Sequence, residues 1–362
     1  MSPDPSGDAT KAGEDRERAR AIVRETLARR SGELGISALA FLDRKDLFPF
    51  IERYPEASRR YGLDAAGLVM TAALAFGEGL GGPRESADSR TQPEVEAQVS
   101  DSARRPAPIL ARIGRFARAN WYAEMLSRLA LAAEAARETL ESNGLRGGSA
   151  KKWHRLANSG LPERPLAVAA GLGFVGRSGL LLVPGFGPGV VLGLLLVPEE
   201  LVGPGPSGLP NWTELPSPGS ACGSCRACVD ACPTGALGGD GAYERELCIQ
   251  HWSSREGELP ARVAESWADR LYGCDECSVS CPRFSRRAAV VPTRGILGTG
   301  LPAEEVLAWS DAELEERLRG SALGMGWISR SALRRNAAMT LAYARSATGS
   351  PQSRQGRAGG GP

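Results

Sequence analysis

The chain has 362 residues, 42% of them hydrophobic, enough for two or three domains with a buried core. Its 44 basic and 42 acidic residues nearly cancel to a formal charge of +2, so the bulk charge selects no class of partner. No apolar run reaches the roughly 18 residues that cross a bilayer; the longest candidate, Val190–Pro198, has strand length, and a soluble cytoplasmic protein without membrane contacts is expected.

Residues 1–15 are polar, contain Pro and Gly, and are expected to be disordered. Residues 14–30 (EDRERARAIVRETLARR) read as a charged amphipathic helix with Ala21, Ile22, Val23 and Leu27 on or near one face. Residues 38–42 (ALAFL) and Ala66–Ala75 (AGLVMTAALA) read as buried strands. Residues 82–106 form a polar stretch without periodicity, too long for an ordinary connection and suited to a lid or an insertion. Residues 115–143 predict one long helix that stops at Asn143-Gly144, with Trp121 and Tyr122 packed in the core. Residues 153–165 are polar and irregular, and residues 166–173 predict a short helix. The Gly171-Leu172-Gly173-x2-Gly176 run neither follows a strand nor opens a long helix, so it is not a dinucleotide fingerprint. Residues 180–183 and 190–197 resemble two strands joined by a Pro/Gly turn. A Pro/Gly/Ser linker over 202–220 then leads to the cysteines.

All eight cysteines lie between Cys222 and Cys281. The first run is Cys222-x2-Cys225-x2-Cys228-x3-Cys232-Pro233, the bacterial ferredoxin spacing for a [4Fe–4S] cluster, whose fourth Cys ligates the other cluster. The second, Cys274-x2-Cys277-x3-Cys281-Pro282, ends the same way but lacks one cysteine, which Cys248 can supply. Each iron corner of a cubane needs one soft, deprotonated sulfur, and x2 spacing lets one loop reach three corners. The swapping rule assigns Cys222, Cys225, Cys228 and Cys281 to one cluster and Cys232, Cys248, Cys274 and Cys277 to the other, with no thiol left over. Four disulfides suit a small secreted chain, which this is not. Zinc sites use four-ligand C-x2-C pairs and do not explain a third Cys at x2 followed twice by x3-Cys-Pro.

Beyond the cysteines, residues 302–319 and 331–345 predict two helices, and residues from 350 on read as a flexible tail. From Arg283 onward there are twelve Arg against six acidic residues, with no Lys or His, an excess that suits either a solvated helical surface or nucleic acid. The fold class expected is α/β or α+β with an appended two-cluster module and a helical C-terminus. The divisions are 1–15 disordered, 16–200 α/β, 201–220 linker, 221–284 two-cluster ferredoxin-like, 285–346 helical and 347–362 tail.

From about residue 115 to 345 the chain resembles the epoxyqueuosine reductase family. The resemblance is carried by Glu163-Arg164-Pro165-Leu166, Ala170-Gly171-Leu172-Gly173, residues 222–237, residues 270–282 with Tyr272-Gly273-Cys274-Asp275-x-Cys277, Gly320-Ser321-Ala322 and Arg335-Asn336-Ala337. It implies an N-terminal α/β cobalamin-binding domain abutting a ferredoxin-like domain, with base-off cobalamin between them near one cluster. The implied reaction removes an epoxide oxygen in tRNA queuosine synthesis, using electrons from an external low-potential donor and a proton from a carboxylic acid. Asp275 matches a family position next to the corrin. The family's ligand sets agree with those given by the swapping rule. A monomer that binds tRNA is expected, with Arg330, Arg334, Arg335 and Arg345 as candidate phosphate contacts.

This sequence departs from the family around the substrate. The family's Asp general acid precedes the Glu-Arg-Pro motif, where the chain reads Leu156-Ala157-Asn158-Ser159-Gly160. Gapless counting puts Ala157 at the acid position and one deletion puts Asn158 there, and neither can surrender a proton near neutral pH. The catalytic residue is therefore unassigned; His154 and Glu163 are nearby, the first expected at the surface and the second in a structural motif. The family's Arg-Asp-Tyr-His reads Asn120-Trp121-Tyr122-Ala123, its Gly-Lys reads Gly176-Arg177, and its Ser after Cys-Ile is Gln250. Three functions are compatible: an epoxyqueuosine reductase or close relative, a corrinoid or flavin iron–sulfur reductase with another substrate, and an electron-transfer protein without its own substrate.

Overall fold

The computed structural model describes residues 5–77, 108–212, 214–285 and 290–348. A long helix, α1 (Pro5–Glu33), opens the chain. It begins well before residue 14, so residues 5–15, expected to be disordered, are helical. The buried anchors Ala19, Val23 and Leu27 follow within the same helix. Then come β1 (Ala38–Asp43), α2 (Arg44–Arg53), α3 (Pro55–Tyr61) and β2 (Ala66–Ala75). Every residue of β2 is buried, which is why it reads as a continuous apolar run rather than an alternating one. The stretch 82–106 lies outside the described residues, as does the tail from 350.

After β3 (Leu110–Ile113) comes α4 (Trp121–Ser142), which starts six residues later than the sequence pattern suggests. Asn120 is its cap: the side chain accepts the Ala123 N–H at 3.0 Å and donates to the Gly320 carbonyl at 2.8 Å. Next are β4 (His154–Leu156), α5 (Glu163–Ala169), β5 (Phe174–Val175), β6 (Leu181–Leu182), β7 (Val190–Pro198) and α6 (Glu199–Val202). The expected hairpin between β6 and β7 does not form. β6 pairs with β5, while β7 lies between β2 and β4.

The main sheet has the order β1-β2-β7-β4, and every neighbouring pair is antiparallel. Alternate residues of β2 serve its two faces. Leu68, Met70, Ala72 and Leu74 join α1 and α4 in one core, while Val69 joins Leu47, Phe50 and Leu166 from α2 and α5 in another. Gly193 in β7 lets α4 approach closely, because a Cβ there would run into Met125 and Leu129.

The cysteine region contributes α7 (Ala227–Asp230), α8 (Ile249–Trp252), α9 (Ala261–Glu265), β8 (Arg270–Tyr272) and α10 (Glu276–Val279). The C-terminal part adds β9 (Gly300–Pro302), α11 (Ala303–Ala308), α12 (Asp311–Leu318) and α13 (Arg330–Thr348). The single helix expected over 302–319 is two, because Ser310 and Glu313 form a capping box that starts α12. A second sheet, β8-β3-β9, takes one strand from each of three separate regions, with β3 parallel to β8 and antiparallel to β9. Ala111, Ile113 and Leu271 from it pack with Leu333, Ala337 and Leu341 of α13 in a separate core. Among the described residues no helix is long and apolar enough to cross a membrane.

Candidate redox site

Short helices and turns present the cysteines. Cys228 lies on α7, Cys248 caps α8, and Cys277 sits on α10. Backbone N–H groups at these helix starts and loops point at sulfur: Val229 at Cys228, Gln250 and His251 at Cys248, Glu276 at Cys274, and Arg283 at Cys281. All eight thiols are free of disulfides.

The thiols interact in two groups. Cys228 couples to Cys281 and Cys222, and Cys281 couples to Cys222 and Cys225. Cys248 couples to Cys232, Cys274 to Cys248, and Cys277 to Cys274, Cys248 and Cys232. The groups approach each other where α7, which carries Cys228, packs against α10, which carries Cys277. Burial, reinforced by the neighbouring thiols, pushes Cys277 up to about 12. Such a thiol ionises near neutral pH only when a metal cation takes the place of its proton, which is what iron ligation does. Among the described residues no three His, Cys, Asp or Glu side chains gather about a point fit for a single ion. Two groups of four thiols suit instead the separated corners of two cubanes.

The two groups differ in position. Cys225 is exposed, and none of Cys222, Cys225, Cys228 and Cys281 touches the cavity beside the site. Cys232, Cys248, Cys274 and Cys277 all line that cavity, which measures ≈ 720 Å³. The main sheet and α4 line it too, through Val190, Leu192 and Tyr122, with Phe76 just beyond β2. The cavity thus lies where the sheet of the N-terminal half meets the cysteine loops, and both apolar side chains and thiols line it. That shape and lining are those of a cofactor cleft.

Polar groups from the N-terminal half also line the cavity. Asn158 lines it from the β4–α5 loop, in the left-handed region with φ of 55°. Glu163, at the start of α5, also lines it and fastens that loop. One carboxylate oxygen accepts the Ser159 N–H (2.7 Å) and hydroxyl (2.8 Å), and the other accepts the Asn158 N–H (3.3 Å). Burial raises the Glu163 pKa, against the lowering effect of these bonds. Burial also pushes the Tyr122 phenol up to about 12, with smaller contributions from Tyr272 and Glu163. His154 lines a different cavity with Lys152 and Glu199, so it is not placed to serve this one. Ala157 packs beside the main core.

Asp275 is only 5% exposed and lines the cavity. Its carboxylate accepts the Arg115 N–H at 2.7 Å, and burial raises its pKa while Arg115, Arg112 and Arg118 oppose that. Gln250 has a role its sequence position did not reveal. Its side-chain oxygen accepts the Cys274 N–H at 3.3 Å and its amide group also bonds the Tyr272 side chain, so it steadies the loop that carries two thiols. Arg177 binds the carbonyls of Gly239 (2.9 Å) and Gly223 (2.8 Å), pinning the first cysteine loop to the N-terminal half.

The arginines of α13 are mostly engaged within the protein. Arg335 donates to the carbonyls of Trp252, Arg255 and Gly257 and lies over the Trp267 ring. Arg330 pairs with Glu315, and Arg334 pairs with Asp311 and donates to the Trp309 carbonyl. Arg335, one of the candidate phosphate contacts, ties α13 to the cysteine loops.

Residues 221–283 match a family described as the 4Fe-4S double cluster binding domain. The chain is similar to epoxyqueuosine reductases. It is 31% identical over 166 residues to that of Francisella cf. novicida strain Fx1, covering 44% of this chain and 43% of the relative. It is 32% identical over 187 residues to that of Staphylococcus aureus strain NCTC 8325, covering 51% and 45%. The matched stretch thus spans somewhat under half the length of these relatives. Among solved structures, epoxyqueuosine reductase from Streptococcus thermophilus superposes with a TM-score of 0.62 at 19% identity, over 89% of this chain and 81% of that one. The Bacillus subtilis enzyme, in a structure whose catalytic aspartate loop is swung out of the active site, gives 0.59 at 21% identity, over 90% and 82%. An epoxyqueuosine reductase bound to an epoxyqueuosine-modified tRNA stem loop gives 0.58 at 22% identity, over 90% and 82%. At these identities the structural likeness establishes a shared mixed α/β fold.

Proposed function

We propose that this chain is an iron–sulfur oxidoreductase that reduces an epoxide on a modified tRNA nucleoside, the activity its relatives' names describe. The observation that carries the reading is that four cysteine thiols wall the same cavity as Tyr122, Asn158 and Glu163. In this reading Cys222, Cys225, Cys228 and Cys281 hold an outer cluster, and Cys232, Cys248, Cys274 and Cys277 hold an inner one. Residues 16–200 and 221–284 then supply the two walls of the cleft, and the region 285–346 braces them.

The apolar lining and the buried Asp275 fit a corrinoid lying between sheet and thiols, with Phe76, Val190, Leu192 and Asp275 as the residues that would hold it. Bound there, cobalamin would supply the low-potential cobalt chemistry that acts on the epoxide. The overall change consumes two electrons and two protons and gives an alkene and water. The protein's own part is to pass electrons inward, exclude water with the apolar side chains of the lining, and supply protons at the polar ones. Tyr122 is a neutral hydroxyl donor there throughout the ordinary pH range. Of the two positions that could match the family's acid, Ala157 and Asn158, Asn158 lines the cavity; it can only donate a hydrogen bond through its amide, so turnover should be slow. This residue alone favours the second reading, a reductase with a different substrate; the similarity to epoxyqueuosine reductases favours the first.

Anaerobic purification tests the reading. Two clusters require about eight iron per chain, four for each [4Fe–4S] unit. Base-off cobalamin should be visible by EPR of the Co(II) form, and an epoxyqueuosine-modified stem loop should be converted, if slowly. Zinc without acid-labile sulfide would rule out the clusters. Failure to bind added cobalamin under reducing conditions would leave a bare electron-transfer protein.

A further inference from the structure

The outer thiol group has a solvent face that the reaction at the cavity does not use. Cys225 is exposed, and the inner group lies between this face and the cavity. Three guanidinium groups belong to these cysteine loops or bind them. Arg226 follows Cys225 directly and its side chain is 53% exposed. Arg283 follows Cys281 by two residues, reaches the Ala221 carbonyl at 3.5 Å and lies over the Phe174 ring. Arg177 holds the Gly223 carbonyl at the surface of the same loop. The nearby carboxylates offset this charge weakly. Asp230 reaches Arg226 only at 3.9 Å, in an exposed pair, and Asp240 accepts the Ala242 N–H of its own loop at 3.0 Å.

We propose that this basic rim is the docking surface for an acidic one-electron carrier protein, which delivers electrons to the outer cluster. Charge complementarity selects the occupant: exposed cations around a redox centre raise the encounter rate of an acidic partner and orient it. Each transfer oxidises the carrier by one electron and reduces the outer cluster by one; no bond forms and no proton moves. The two cluster sites approach where α7, bearing Cys228, packs against α10, bearing Cys277. The inference rests on the ligand assignment proposed above and is independent of the substrate.

The experiment uses anaerobic holoprotein with iron and sulfide measured first. Cluster bleaching is followed by stopped flow, with reduced flavodoxin as the acidic carrier and a photoreduced small deazaflavin as the control. Reversing charge in the exposed Arg226→Glu and Arg283→Glu, singly and together, should slow reduction by the carrier by about tenfold or more at low salt, within the range of electrostatic steering. The doubly reversed protein should also lose the salt dependence that the unaltered protein shows, while reduction by the deazaflavin stays the same. A chain with eight iron whose reduction by flavodoxin is indifferent to both reversals overturns the docking surface alone. A chain without iron and sulfide overturns the cluster assignment and the docking surface together.

Discussion

Asn158 occupies a left-handed backbone position at the cavity wall, a conformation that Asn and Asp tolerate better than most residues. Asn158→Asp should therefore fit the loop and place a carboxylic acid in the cavity lining. Since a positioned general acid contributes about 10²–10⁴-fold, epoxide reduction should rise by roughly 10²-fold, with iron content unchanged. Single-turnover conversion of a modified stem loop measures this; no gain from the substitution would mean that the pocket has been reshaped for something else. Tyr122 offers a second check. Its phenol, held near 12, ionises after the same group in the unfolded chain, whose pKa is about 10. Its contribution to stability is thus complete below pH 10 and is lost as the pH rises towards 12. Tyr122→Phe should remove the high-pH phenol from an ultraviolet difference titration and flatten the alkaline fall in stability. At this scale the thiols were legible because iron dictates their spacing. The role of Gln250 was not, because its partner is the N–H of Cys274, distant in sequence and reached only by folding. Glu163 was read as a structural residue; it does brace its loop, and it also faces the cavity.

The long elements were legible and the short ones were not. β2 and β7 announce themselves as apolar runs of ten and nine residues. β3, β4, β8 and β9 have three or four residues each, too few for any period to show, and their pairing partners are remote in sequence. The partition of residues 302–319 into α11 and α12 was legible in principle from the Ser310-x2-Glu313 cap. α13 is locked to the cysteine region by Asn336, fully buried, whose amide donates to the carbonyls of Ser253 (2.9 Å) and Leu271 (2.8 Å). Asn336→Ala strands both carbonyls, at a cost of about 1–3 kcal/mol for each buried group left unpaired. The anaerobic holoprotein should melt several degrees lower, and the inner cluster should be lost before the outer one on heating. Gly193→Val should be worse, since its side chain would force α4 off the sheet; little soluble protein is the expected outcome of expression.

Over the whole molecule, the cysteine loops form a gradient from solvent to cavity. Oxygen or a chelator should reach the outer cluster first, through exposed Cys225. Iron release should be biphasic, with about four of eight iron leaving in the fast phase, four being the content of one cubane. Cys248→Ser should remove the slow phase and leave the fast one, which colorimetric iron release resolves. If both clusters decay together in the unaltered protein, the difference in exposure does not govern their stability. The sequence pointed to two clusters but not to this gradient, because thiol spacing suggests ligand sets and says nothing about which set faces the cavity.

The sheet β8-β3-β9 takes strands from three distant regions, and Asn336 fastens the last helix to β8 and to the Ser253 carbonyl. During synthesis, Cys222 leaves the ribosome more than a hundred residues ahead of Asn336. At translation speeds of about 5–20 residues per second, the first thiols wait on the order of ten seconds before the final brace arrives. Through that interval the cysteine loops lack β9 and α13, so a nascent chain has to be shielded from oxidants and mispairing by something other than its own fold. Cluster insertion in the cell is then an event of chain completion, and ribosome-stalled chains ending before β9 should emerge without stable inner-cluster iron.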